Sequence, residues 1–226
     1  MNDSVDEALV VLSGGQDSTT CLYWAIDRFG EDCVSSVTFD YGQRHRIELD
    51  CARRIAAEAG VSNVCLPIDT FAALGGDALT DASIAVGEAA GTGTELPATF
   101  VAGRNLIFLT FAAAYAYRHD IRHLVTGVAQ TDYSGYPDCR EETMAALQNA
   151  IRLGMDSDVE IHTPLMHRSK KETVELAVRL GALDAMALTH TCYNGQQPPC
   201  GRCAACELRA KGFAAAGVPD PLLDAQ

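Results

Sequence analysis

Apolar residues along the chain fall into two kinds of run. Short stretches at residues 8–12, 33–39, 63–68, 122–127 and 159–163 have the length of strands, and the first, ALVVL, is apolar all round, as a strand covered on both faces must be. Between them lie longer stretches with helical character at residues 18–29, 46–59, 104–117, 141–154 and 169–180, the last opened by the capping pattern SKKE. Strands alternating with helices predict an α/β fold, a twisted parallel sheet of about five strands with helices on both faces. The pattern lapses over residues 75–94, GGDALTDASIAVGEAAGTGT. A loop that long in a compact domain is a functional lid or is disordered, so mobility is expected there.

Polar chemistry collects where the strands end. The first runs into SGGQDSTTCL, in which Ser13, Gly14 and Gly15 supply a hydroxyl and two positions without a Cβ, so that successive N–H groups can curl around an anion. Asp17, Ser18, Thr19 and Thr20 read as capping residues of a helix whose positive end faces that loop. A phosphate suits such a place, and a plain turn without a ligand is the alternative. Neither GxxxxGK[ST] nor GxGxxG occurs. Asp40 closes the second strand at the edge where parallel sheets bind ligands, and Gln43, Arg44 and His45 follow at a helix entrance, either as a solvated basic turn or facing a nucleotide. Arg104, after Gly103 at another helix entrance, can clamp a phosphate or carboxylate with two prongs, or can simply be exposed. After the fourth strand, TDYSGYPDCR is either turn chemistry or a pocket in which aromatic rings and polar groups take a planar heterocycle. Lys170 and Lys171 oppose the dipole of the helix they begin, a conflict that a bound anion would remove.

Composition narrows the class. The 226 residues, 48% hydrophobic, suit one α/β domain with a small appendage. No apolar stretch approaches the roughly 20 residues of a membrane span. The acidic opening MNDSVDEA has no signal-peptide pattern, so a soluble cytoplasmic protein is expected. A net charge of −13 opposes direct binding of nucleic acid, though not of a small nucleotide. Nine cysteines in such a chain are buried, catalytic or metal-bound thiols; Cys21, Cys33, Cys51 and Cys65 read as core. Cys192, Cys200, Cys203 and Cys206, in CYNGQQPPCGRCAAC, fit a closed tetrahedral zinc site. An iron–sulfur cluster is the rival, whereas a redox CxxC pair would need no fourth partner. The expected division is an α/β domain over 1–187, with its mobile loop, and a zinc-binding loop and helix over 188–226 packed on it.

SGGQDSTT, DYGQRH, GRN, DYSGYPDCR, TPL followed by SK, and CY followed by PCGRCxxC together resemble the 7-cyano-7-deazaguanine synthases of queuosine and archaeosine biosynthesis, N-type ATP pyrophosphatases, over nearly the whole length. The resemblance implies an adenine nucleotide α-hydrolase-like fold. It implies ATP binding at Leu12, Ser13, Gly14, Gly15, Gln16, Asp17, Ser18, Thr19, Thr20, Cys21, Leu22, Arg44 and His45, with Asp17, Arg104 and Lys170 serving catalysis and Asp17 holding Mg²⁺. Asp132, Tyr133, Tyr136, Asp138 and Arg140 are then the substrate pocket. The implied reaction joins 7-carboxy-7-deazaguanine to ammonia through adenylated intermediates, releasing AMP and pyrophosphate, in a homodimer with one structural Zn²⁺ per chain. Ala102 replaces the usual Pro, and His190 stands where Trp is often found. A ligase for another carboxylate would share the ATP site, and a tRNA-thiolating relative would want a basic face. A zinc-stabilised binding module would leave SGGQDS unexplained.

Overall fold

The computed structural model describes residues 6–44, 46–81, 83–86, 96–130 and 136–224. Five strands, β1 (Ala8–Val11), β2 (Val34–Asp40), β3 (Ser62–Pro67), β4 (His123–Val125) and β5 (Glu160–His162), form one parallel sheet in the order β3-β2-β1-β4-β5. The helices are α1 (Gln16–Phe29), α2 (Ile47–Glu58), α3 (Thr70–Leu74), α4 (Arg104–Arg118), α5 (Glu141–Met155), α6 (Lys170–Arg179), α7 (Ala204–Ala216) and α8 (Pro221–Asp224). The α/β class and the five strands agree with expectation; the short α3 is an addition.

Alternation along β1 explains both layers. Ala8 and Val10 point into a cluster with Leu22 and Ala25 of α1 and Ala52 and Ile55 of α2, whereas Leu9 packs with Ala112, Ala113 and Ala116 of α4 and Ile151 of α5. Small alanines on α4 let that helix lie close to the sheet. The strand order reverses between β1 and β4, which opens a crevice at the carboxyl ends of these two strands. Its walls nearly touch: a Cβ on Gly127, just beyond β4, would lie 3.0 Å from the Asp17 carbonyl carbon and the Ser18 nitrogen.

Gly14 is required for two reasons. Its φ is +84°, and an added Cβ would collide with the Glu48 carbonyl oxygen and lie 2.9 Å from the Ala52 nitrogen, both in α2. Gly14→Ala is therefore expected to cost about 1–2 kcal/mol for the left-handed backbone, plus a similar overpacking penalty. A urea-unfolding midpoint equal to that of the parent protein would contradict this.

The C-terminal part packs on α6. A Cβ on Gly212 of α7 would meet the Lys170 Cβ at 3.0 Å, so this glycine lets α7 press on the first turn of α6. Ser169 caps α6 with a full capping box: its hydroxyl accepts from the Glu172 N–H, and Glu172 accepts from the Ser169 N–H at 2.8 Å. Arg209 of α7 is buried, donating to both carboxylate oxygens of Asp220 at 2.7 Å and to the Thr189 and Thr191 hydroxyls. It thereby fixes the chain that enters the cysteine loop.

Two expectations need correction. Asp17 to Thr20 do not cap α1; Gly15 is its N-cap without a side-chain bond, and the Ser18 and Thr19 hydroxyls donate back to the Gly15 carbonyl. Cys65 is exposed and Cys33 only half-buried, because β3 is an edge strand and Cys33 lies in the one-turn connection before β2; Cys21 and Cys51 are core. Within the long loop, Ala78, Leu79 and Val86 are buried, and the Ala78 N–H donates to Ala98 at 2.7 Å. The rest of that segment, residues 82 and 87–94, lies outside the described residues.

Candidate functional site

The loop after β1 is ordered by its own hydroxyls. The Ser18 hydroxyl lies 3.0 Å from that of Ser13 and accepts from the Ser13 N–H at 3.2 Å, while the Gly15 N–H donates to Ser13 at 3.4 Å. Lys170 arrives from α6, its Nζ donating to Asp17 Oδ2 at 2.6 Å. The other oxygen of Asp17, Oδ1, and the Gln16 amide nitrogen Nε2 are buried without a hydrogen-bond partner. An unpaired buried acceptor and donor on adjacent residues each cost about 1–3 kcal/mol unless a ligand meets them. A carboxylate oxygen suits a divalent cation and an amide N–H suits an anionic oxygen. Leu12, Cys21 and Leu22 have no exposed surface and serve the core. Burial, with the nearby Asp17 charge, raises the Cys21 thiol well above its usual range, so it stays protonated. Thr20 bonds its own helix at the Gln16 carbonyl. The side chains of these four residues pack within the fold.

Arg104 begins α4 because Gly103 takes a left-handed turn, φ +70°, before it. Its guanidinium donates to the Tyr41 hydroxyl at 3.3 Å and lies over the Tyr41 ring, 5.8 Å from the centroid. Burial opposes its charge, but Tyr41 and Tyr193 more than offset this and its pKa is raised. Burial pushes Tyr41 up to about 12 against the pull of Arg104. Glu48, in the first turn of α2, is pushed up to about 7 by burial, again opposed by Arg104. Tyr136 is buried, its hydroxyl 2.6 Å from that of Thr99 and its ring tilted against Phe100.

The Glu48 shift has a pH consequence. Its folded pKa lies above the model-peptide value near 4.5, so between about pH 4.5 and pH 7 the folded state holds the extra proton and stability falls as pH rises through that window. Glu48→Gln is expected to lose less stability than the parent between pH 5 and pH 8, measured by urea unfolding. An equal loss in both proteins would contradict the assignment.

Other expected site residues take different places. Arg44 acts as a strut, its Nη1 donating to the carbonyls of Ala78 at 3.1 Å and Ile84 at 3.0 Å. Asp138 is buried, and its Oδ2 accepts from the Asn105 N–H at 3.1 Å. That bond ties Asp138 to the start of α4. Arg140 stands exposed at the N-cap of α5, 3.9 Å from Glu142, and is not bonded to the Arg104 group among the described residues. His45, Asp132 and Tyr133 lie outside the described residues. The sequence does not single out Tyr41, Glu48 or Tyr193 as site residues. Tyr41 follows the strand-ending Asp40 in DYGQRH and Tyr193 follows Cys192, so their places beside quoted motifs were the available signal.

Cys192, Cys200, Cys203 and Cys206 bring their four sulfurs within 4.8 Å of one another. A tetrahedral ion with metal–sulfur bonds of about 2.3 Å needs sulfurs about 3.8 Å apart, close to the 4.0 Å between Cys200 and Cys206. Backbone N–H groups of Cys200 and Cys203 donate to the Cys192 and Cys200 sulfurs at 3.4 Å, as charged thiolates require. The hydrogen bond from Cys206 brings the Cys203 thiol down to about 5 and raises Cys206 itself. The cluster can hold a structural metal. Ala78 and Val86 pack on it, and the His190 N–H donates to the Gly14 carbonyl at 2.9 Å, tying the cysteine loop to the phosphate-type loop. His190 turns its ring to the Cys192 carbonyl at 2.9 Å.

Comparison with known proteins agrees with this arrangement. The model of the queuosine biosynthesis protein QueC family matches residues 7–217. The 7-cyano-7-deazaguanine synthase of Chromobacterium violaceum is 72% identical over 99% of this chain and 96% of its own. That of Laribacter hongkongensis is 64% identical over 97% and 95%, and that of Bradyrhizobium sp. strain BTAi1 50% identical over 94% and 96%. NMN synthetase from Francisella tularensis shares the fold, with a TM-score of 0.50 at 14% identity over 100% of this chain and 80% of that structure. The chain belongs to the QueC family, whose curated relatives are named 7-cyano-7-deazaguanine synthase.

Proposed function

We propose that this enzyme is an ATP-dependent carbon–nitrogen ligase that converts 7-carboxy-7-deazaguanine and ammonia into 7-cyano-7-deazaguanine, with AMP and pyrophosphate as the other products. The observation that carries the reading is the pairing of Lys170 with Asp17 beside the Ser13 to Ser18 loop, with Asp17 Oδ1 and Gln16 Nε2 left unpaired. A carboxylate is a poor acyl donor because its leaving group would be oxide. Attack of its oxygen on the α phosphate of ATP makes an acyl adenylate and releases pyrophosphate. Ammonia then displaces AMP to give the amide, and a second adenylation at the amide oxygen turns that oxygen into a leaving group, so the nitrile forms.

Each group has a part in this sequence. The N–H groups of the loop and the start of α1 receive phosphate oxygens, and Lys170 counters charge that grows as pyrophosphate departs. Asp17, through Oδ1, would hold Mg²⁺, which would supply neutralisation of phosphate charge. Arg104, held among tyrosines, can take a carboxylate or phosphate in two-pronged fashion, and Tyr136 can offer its ring to a planar base. Zinc in the four-cysteine cluster would brace the loop through His190. The chain has no helix long and apolar enough to cross a membrane among its described residues, which supports a cytoplasmic place. Phe111, Tyr117 and Leu153 stand exposed on α4 and α5, a surface that a second copy would cover in a homodimer.

The test is turnover. Incubation with 7-carboxy-7-deazaguanine, ATP, Mg²⁺ and ammonium is expected to yield the nitrile and AMP by mass spectrometry; an ATP-dependent product with a different carboxylate only would overturn the substrate assignment.

A further inference from the structure

A second group of metal-type donors lies at the other edge of the sheet. His123 is paired in register with Ala8, the first residue of β1, whereas the phosphate-type loop leaves β1 beyond Val11. We propose that His123, His162 and Glu160 form a binding site for a divalent transition-metal ion such as Zn²⁺, separate from the cysteine cluster and from the reaction crevice.

Geometry carries this. The register of β4 with β5 sets His123 opposite Glu160 and Val125 opposite His162, so the three side chains project from one face. His123 Nδ1 lies 3.0 Å from His162 Nε2 and 3.6 Å from Glu160 Oε2, and His162 Nε2 lies 3.8 Å from the same oxygen. Metal–ligand bonds of about 2.0–2.1 Å in a tetrahedral site need ligand atoms about 3.3 Å apart, a spacing these three distances bracket. Two imidazole nitrogens with one carboxylate oxygen make a donor set suited to zinc or a similar ion.

The surroundings are those of a ligand shell. The remaining nitrogen of His123, Nε2, is buried without a hydrogen-bond partner and faces Asp6 Oδ1 at 3.6 Å, in the place of the carboxylate that commonly orients a metal-bound histidine. The Nη2 of Arg122 holds the other oxygen of Glu160 at 2.7 Å, leaving Oε2 toward the histidines. Phe29 stacks on His123 with centroids 4.8 Å apart, and Trp24 lies 5.7 Å from His162, so both rings are fixed by packing. His123 is nearly sealed, while the Glu160 side chain is 35% exposed, leaving an opening for an ion to enter and for water to complete the coordination. Arg28, whose guanidinium lies 5.4 Å from the Phe29 centroid, and Arg122 are the cations near this face, and their charges oppose an ion. A hydrogen-bonded histidine pair without metal is the competing account.

Trp24 is the chain's one tryptophan, so its fluorescence reports on this site. Untagged protein, its cysteine cluster loaded with zinc, is titrated with Zn²⁺ by equilibrium dialysis and with Ni²⁺ by fluorescence. One further equivalent of zinc and quenching of Trp24 by Ni²⁺ are expected, each weakened at least tenfold in His162→Gln and Glu160→Gln. If His162→Gln does not fold, the partly exposed Glu160→Gln carries the comparison. No further equivalent, or unchanged binding and quenching in folded Glu160→Gln, would overturn the proposal in favour of the metal-free histidine pair.

Discussion

Lys170→Met is expected to lower the rate of AMP release by about two to three orders of magnitude, the usual loss when one preorganised charge is removed from a developing anion. Nζ of Lys170 sits 2.6 Å from Asp17 Oδ2, with only 16% of the lysine side chain exposed, so water cannot readily replace it. Gly212 lets α7 press against the Cβ and backbone of Lys170, so the side chain leaves from a fixed point, and a longer, planar guanidinium would not reproduce the amine's 2.6 Å approach to Asp17. Lys170→Arg should therefore rescue little. Asp17→Asn is expected to show a loss of similar size, and the double variant much less than the product of the two, because the residues act as one unit on the same phosphates. Steady-state AMP release beside thermal melting checks this. Full multiplication of the two losses would show that the residues act separately.

Cys203→Ser is expected to have the largest effect on stability. Binding of structural zinc by small domains is worth about 10–16 kcal/mol, and a lost ligand forfeits much of the part that couples to folding. Here the loss reaches the loop after β1, because the His190 N–H bonds the Gly14 carbonyl and Ala78 and Val86 rest on the cysteines. The variant should hold less zinc by elemental analysis, melt at least 10 °C lower, and show a raised KM for ATP. A variant that loses its metal yet melts as the parent does would mean that the cluster does not brace the fold.

What could be read along the chain was what neighbours in sequence decide. The five strands, the turn at Ser13 to Gly15, the capping box at Ser169 and Glu172, and the four-cysteine spacing all depend on residues a few positions apart. Positions that depend on distant partners were not legible. Arg44 follows a strand like a ligand-facing arginine, but the carbonyls it holds come from residues 78 and 84. Asp138 sits in a motif rich in pocket-type residues, yet its partner is a backbone N–H of a helix that begins at Arg104. Glu48 looks like an ordinary first-turn acid of α2, yet burial in the folded chain, opposed by Arg104, raises its pKa. The apolar look of Cys65 is that of a core strand, and only its place at the sheet edge leaves it exposed.

Oxygen-18 in the substrate carboxylate tests directly whether the α phosphate is attacked. With both carboxylate oxygens labelled, each nitrile formed should be accompanied by two molecules of AMP, each carrying one labelled oxygen, and by unlabelled pyrophosphate. Formation of ADP, or label in inorganic phosphate with none in AMP, would contradict adenylation at this site.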